Sequence, residues 1–182
     1  MIATVRTLPQ YFPEIFVHRV ILSAIAFAVF CIITVMLYKC HRFDGTQFVA
    51  AILLSLYIVV LLYFTFVGRY SHEEYGYQIH VFYSYGRFLE EFDRQSIEQI
   101  VINLMMLVPV GFLLPVIIKG KGKHVIVLLL CLLLTVFIES MQLLTKCGSF
   151  EIDDIINNMI GAILGILLYL LLYLIKQYRR KF

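Results

Sequence analysis

Charge is scarce in this chain of 182 residues: 15% is Asp, Glu, Lys or Arg, against 62% hydrophobic. So little charge over so much apolar surface excludes an ordinary soluble domain, and a mean hydropathy of +0.90 places the chain in the membrane class. A cysteine framework is also missing. The four cysteines are scattered: Cys31 and Cys131 lie inside apolar runs, Cys40 just past one, and Cys147 in a short polar loop, with neither disulfide pattern nor metal spacing. There is no nucleic-acid motif to go with the small net charge of +3, so the basic residues read as topology signals and no nucleic-acid partner is expected. P-loop, serine-nucleophile and Cys/His signatures are absent. Residues 1–17 carry Pro9 and Pro13 and lack the three regions of a cleavable signal peptide, so the first apolar run is expected to be a retained helix.

What is there is a series of apolar runs. Val20 to Tyr38 has nineteen residues without a charge and Phe48 to Val67 twenty; Ile97 to Ile118, Val125 to Leu144 and Ile155 to Ile175 follow. Each matches the ~20 residues that a helix needs to cross a bilayer. The expectation is an all-α, polytopic membrane protein of about five transmembrane helices, its partner the lipid bilayer. Pro109 and Gly111 fall in the middle of the third span, where proline predicts a kink. Residues 69–96 break the pattern with charges among aromatics such as Tyr70, Tyr75, Tyr77, Phe82, Tyr83, Tyr85 and Phe88. That segment fits either the headgroup level of a membrane or a solvated loop. His72 and His80 within it have no metal-ligand spacing and read as surface residues.

The polar exceptions gather late in the chain. Glu139 follows fourteen uncharged residues and precedes Leu143 and Leu144, which puts it roughly 7–8 Å inside a span. An ionisable group at that depth normally faces the protein interior and has a function. In the next span Asp154, Asn158, Gly161 and Gly165 are spaced by four, three and four, forming one stripe. Its glycines admit a close neighbour, and its Asp and Asn are expected to face Glu139 and Gln142. The plainer alternative, that Asp153 or Asp154 caps a helix N-terminus, leaves Glu139 unexplained.

Glu139-x-x-Gln142 followed by Phe150-Glu151-Ile152-Asp153-Asp154-x-x-x-Asn158-x-x-Gly161-x-x-x-Gly165 resembles the C-terminal signature of the VanZ-like family of small bacterial membrane proteins, named for a teicoplanin-resistance protein. Asn103 to Leu114, with Pro109 and Gly111, and the aromatic stretch Phe82-Tyr-Ser-Tyr85 resemble two earlier blocks of that family. Glu151 stands where an Asp is usual, and Gly148 where many members have an Arg. The resemblance divides the chain into an N-terminal arm with an additional helix, residues 1–47, and a four-helix membrane domain, residues 48–182.

Lys and Arg density sets the expected orientation. Lys39, Arg42, Lys119, Lys121, Lys123, Lys176, Arg179, Arg180 and Lys181 crowd short segments on one side, whereas Arg6, Arg19, Arg69, Arg87, Arg94 and Lys146 are spread over longer ones. The first side is expected to be cytoplasmic, with the N-terminus outside and the C-terminus inside. Arg69, Asn103, Glu139, Asp154 and Asn158 then converge near the outer face of a multi-pass cell-membrane protein.

Three readings of that site stand side by side. In one it is a binding module in which Arg69, Asn103, Gln142, Asp153 and Asn158 help recognise a headgroup, a lipid-linked precursor, a glycolipid or a lipoglycopeptide. In another Glu139 and Asp154 are a catalytic acid and base acting on such a substrate. In the third the cluster only fastens helices together. The carboxylates with Asn103 could gather a divalent cation, but no spacing supports a metal, and no cofactor is expected. The family resemblance implies low-level resistance to teicoplanin-like drugs.

Overall fold

A computed structural model describes residues 28, 30–67, 76–92, 94–144 and 148–181. Among the described residues seven helices follow one another: α1 (Phe30–Lys39), α2 (Gly45–Leu62), α3 (Tyr83–Glu91), α4 (Arg94–Met106), α5 (Val108–Ile117), α6 (Lys123–Leu144) and α7 (Ile152–Arg179). A π-helical turn (Tyr63–Val67) extends α2, and two short strands, β1 (Tyr77–Gln78) and β2 (Phe150–Glu151), pair in parallel. Among the described residues four helical stretches are long and apolar enough to cross a membrane: Gly45–Thr65, Arg94–Ile117, Lys123–Leu144 and Ile152–Arg179. The all-α, polytopic membrane fold expected from the apolar runs is therefore what forms. Residues 20–27 and 29 of the expected first span lie outside the described residues; its later part forms α1.

Burial follows from the solvent. Leu54, Leu107, Val110, Val127, Ile138 and Ala162 fill the centre of the bundle, while Leu132, Leu133, Leu167 and Leu171 point outward, as residues facing hydrocarbon do.

The third span breaks, but not at its proline. Its two halves meet at Leu107 (φ −101°, ψ 3°), because Pro109 takes a first-turn position of α5, where a missing N–H costs no hydrogen bond. The carbonyl of Met106 accepts the Tyr57 hydroxyl of α2 at 2.6 Å. At the other end of α5, the carbonyls of Ile117 and Pro115 accept Gln47 Nε2 at 2.6 Å and Lys123 Nζ at 3.0 Å. Side chains thus satisfy carbonyls that a short helix leaves open.

Gln47 belongs to a capping box with Asp44 at the start of α2. Hydrogen bonds from the Thr46 hydroxyl, the Gln47 N–H and Lys119 hold the Asp44 carboxyl well below the usual carboxylate range, and Lys119 Nζ lies 2.9 Å from it. The loop before α2 and the lysine turn before α6 therefore share one end of the bundle. Sixteen residues beyond Lys123 along α6, at ~1.5 Å per residue, Glu139 lies ~24 Å away, towards the opposite end.

The glycine stripe of α7 faces α4 and α5. A methyl group added to Gly161 would overlap the Leu104 carbonyl oxygen, one on Gly165 that of Val108, and one on Gly111 of α5 that of Ala162. The close neighbour the sequence led us to expect is thus the broken third span, not the helix of Glu139, and the approach is reciprocal.

Candidate polar binding site

Three helices present one polar face each. On α6, Thr135, Glu139 and Gln142 are spaced by four and three, and all are buried, Glu139 to 1% exposure. On α4, Gln99 and Asn103 are spaced by four, with Asn103 buried. On α7, two adjacent pairs, Asp153 with Asp154 and Asn157 with Asn158, lie one turn apart and are all buried. Helical spacing alone puts each set on one face.

The faces meet through hydrogen bonds. Gln99 Nε2 donates to both oxygens of Asp154, at 3.2 and 3.1 Å, and to Glu151 Oε2 at 3.0 Å. The Glu151 N–H points at Glu139 Oε2, 3.3 Å away, and Asn158 Nδ2 donates to Thr135 Oγ1 at 2.9 Å. Three carboxylates and several amides therefore form one cluster. Among the described residues no three His, Cys, Asp or Glu side chains group so as to hold a metal ion.

β2 brings Glu151 to the cluster. It is positioned by the parallel pairing of Tyr77 with Phe150 and Gln78 with Glu151. The aromatic stretch beyond β1 docks on the same helix: Asp153 accepts the N–H of Phe82 at 2.6 Å and that of Ser84 at 2.9 Å, and the Tyr85 hydroxyl donates to Asn157 Oδ1. Phe82 has φ of 64°, a left-handed conformation uncommon for a residue with a Cβ. Its bond to Asp153 holds that conformation in place. Asp153 therefore caps α3 across the fold and not its own helix, whose N-cap is Glu151. Burial, and then the Asp153 charge, push the Tyr85 phenol above its ordinary pKa.

Three buried asparagines keep a polar group without a partner among the described residues: Nδ2 of Asn103, Nδ2 of Asn157 and Oδ1 of Asn158. Buried polar groups are hydrogen-bonded in the great majority of cases, so three such groups around one region call for an explanation. Asn103 and Gln142 also line a groove of about 290 Å³ with Tyr57, Leu61, Phe64 and Met106. The cluster therefore adjoins a largely apolar groove lined by α2, its π-helical turn, α4 and Gln142 of α6.

Of the residues singled out in the sequence, Glu139, Gln142, Asp154, Asn158, Asn103 and Asp153 are all buried at this end of the bundle. Arg69 lies outside the described residues. Gln99, Thr135, Glu151, Asn157 and Tyr85 were not among the sequence candidates, although Glu151 and Tyr85 stand in the family-like motifs and Gln99 and Thr135 each lie one helical turn before a residue that was named.

The arrangement offers carboxylate acceptors, amide donors and an amide acceptor within a largely apolar protein, which suits a partner rich in hydroxyls or amides. No curated protein and no solved structure matches the chain. A family model described as VanZ/LLP1 matches residues 48–173, a range that takes in nearly all of α2, the whole polar cluster and most of α7, and the chain therefore belongs to the VanZ/LLP1 family.

Proposed function

We propose that this VanZ-like membrane protein binds the polar part of a membrane-anchored amphiphile, a lipid-linked wall precursor, a glycolipid or a lipoglycopeptide, and so gives modest protection against lipid-tailed glycopeptides such as teicoplanin. The observation that carries this reading is that Asn103 Nδ2, Asn157 Nδ2 and Asn158 Oδ1 have no partner among the described residues. A cluster that only fastened helices would satisfy its polar groups internally. Donors and acceptors left open together suit a sugar or peptide headgroup, which presents both. The crowding of Lys and Arg at the other end supports an outward-facing site, with the C-terminus cytoplasmic. A lipid tail favours such a site, because ~0.8 kcal/mol for each buried methylene concentrates its bearer at the membrane.

Expression in a susceptible Gram-positive host tests the proposal. The inhibitory concentration of teicoplanin should rise more than that of vancomycin, and Glu139→Gln and Asp154→Asn should abolish the rise at unchanged protein level. Equal shifts for both drugs, or full protection by both variants, would sink it. Wall-precursor composition separates binding from the acid and base alternative in which Glu139 and Asp154 are catalytic, since only an enzyme leaves a new covalent product.

A further inference from the structure

The groove between α2 and α4, closed on one side by Gln142 of α6, has an apolar wall, an opening and the polar side chains Asn103, Gln142 and Thr65 in its lining. Tyr57, Leu61 and Met106 supply apolar wall, and Val60, Phe64, Ile102 and Met105 at its rim are exposed on membrane-spanning stretches. Whatever meets that rim in a bilayer is hydrocarbon. Asn103 lines the groove, is 3% exposed, and keeps Nδ2 without a partner among the described residues. The Tyr57 hydroxyl has no proton to give an acceptor in the groove, because it donates to Met106 O. Thr65, also in the lining, belongs to the π-helical turn, a feature that concentrates at functional sites.

We infer that this groove holds one acyl chain, with Asn103 Nδ2 donating a hydrogen bond to the carbonyl that joins the chain to its head. The inference rests on the reading of the adjoining cluster as a binding site for the polar part of an amphiphile, and it assigns the tail of that same ligand. Plain hydrocarbon would leave the Asn103 donor unsatisfied, and a partner helix would bring backbone carbonyls that are already bonded within it. An ester or amide carbonyl at the top of an acyl chain supplies both the apolar length and the acceptor. The volume, about 290 Å³, falls just short of the ~300–1,000 Å³ of pockets that enclose a whole small molecule. It suits one part of a ligand whose remainder lies in the cluster.

Photolabelling of the full chain in phosphatidylglycerol vesicles tests this, with a phosphatidylglycerol that carries a diazirine on its ester-linked chain as the probe. Label on Val60, Phe64, Met105 and Met106 should exceed that on the lipid-facing Leu132 and Leu133 at least about threefold. Methyl palmitate should compete for the groove label and hexadecane should not. Asn103→Leu should remove that discrimination. Val60→Trp, at an exposed rim position that leaves the core alone, should bring groove label down to the level of Leu132 even if the Asn103 variant does not fold. Even labelling over all lipid-facing residues, equal competition by hexadecane, or no effect of Val60→Trp would overturn the inference, as would a crosslinked product of twice the chain's mass, which would assign the groove to a second copy. Drug protection reads the cluster separately: if Glu139→Gln still abolishes protection while label is even, the groove assignment alone fails. If Glu139→Gln and Asp154→Asn both leave protection intact, the reading of the cluster fails, and with it any claim that the groove holds that ligand's tail.

Discussion

Asn158 of α7 donates to Thr135 of α6 at 2.9 Å, with both residues fully buried. Removing one partner, as in Thr135→Val, strands a second polar atom of Asn158 beside its unpartnered Oδ1. The expected loss is ~1–3 kcal/mol, read as a lower thermal midpoint in detergent. Replacing both, with Thr135→Val and Asn158→Leu together, should recover most of that stability, since an apolar pair leaves nothing unsatisfied. If the pair also carries function, the double variant should be stable and give no drug protection. A stable double variant with full protection would return this pair to a purely structural role.

Gly161 should be far less replaceable than Gly86. Gly161→Ala drives a methyl group into the Leu104 carbonyl, whereas Gly86 of α3 has nothing within 4 Å of where its Cβ would stand. Overpacking costs ~1–3 kcal/mol in general, and a backbone obstacle yields less than a side chain. Membrane accumulation and thermal midpoint should fall for Gly161→Ala and stay level or rise slightly for Gly86→Ala. Equal behaviour would show that α7 and α4 are not packed this closely.

The Asp153 link between α7 and α3 predicts a pH dependence. Because the Tyr85 phenol is raised above 10.0 in the folded protein, its contribution is fully present below that value and is lost as pH rises through the folded pKa. Proteolytic cleavage near α3 should therefore increase at strongly alkaline pH. Asp153→Asn removes the charge that helps raise the phenol, so Tyr85, followed by phenolate absorbance against Tyr85→Phe, should titrate lower. It also weakens the cap on α3, so cleavage near α3 should rise at pH 7 as well. An unchanged titration would mean that the Asp153 charge does not reach Tyr85.

Orientation can be read from cysteines already present. A membrane-impermeant thiol reagent on intact cells should modify Cys147 and spare Cys40, which follows α1 beside Lys39 and Arg42. The reverse pattern would turn the polar cluster towards the cytoplasm and remove the basis for direct drug protection.

The helices were legible because apolar length and helical period are local properties. The run from Phe48 to Val67 gave its span to within a few residues, and the stripe of Asp154, Asn158, Gly161 and Gly165 named one buried face of α7. What the stripe faces was not legible, because nothing local tells α4 and α5 from α6; Gly111, whose own close approach to Ala162 marks the partner, lies fifty residues earlier. Thr135 hid in an apolar run, where a hydroxyl commonly bonds to its own helix. Gln99 lies near the polar start of the third span, beside Gln95 and Glu98, where a polar side chain is ordinary. The contacts of Tyr85 and Ser84 with α7 span 72 and 69 residues of sequence, and no period reveals them. The break at Leu107, two residues ahead of Pro109, reflects proline's preference for starting a helix over kinking one.

The interlock of Gly161 and Gly165 with the backbone of α4 and α5, and of Gly111 with Ala162, fixes which parts of the molecule can move. A slide or rotation of α7 would bring a bulkier neighbour such as Ile160 or Met159 towards the Leu104 carbonyl, so movement of α7 against α4 and α5 is sterically opposed. No glycine among the described residues keys α2 in this way: its side chains bond to the third span through Tyr57 to the Met106 carbonyl of α4 and Gln47 to the Ile117 carbonyl of α5, so substitutions along α2 meet side chains before they meet backbone.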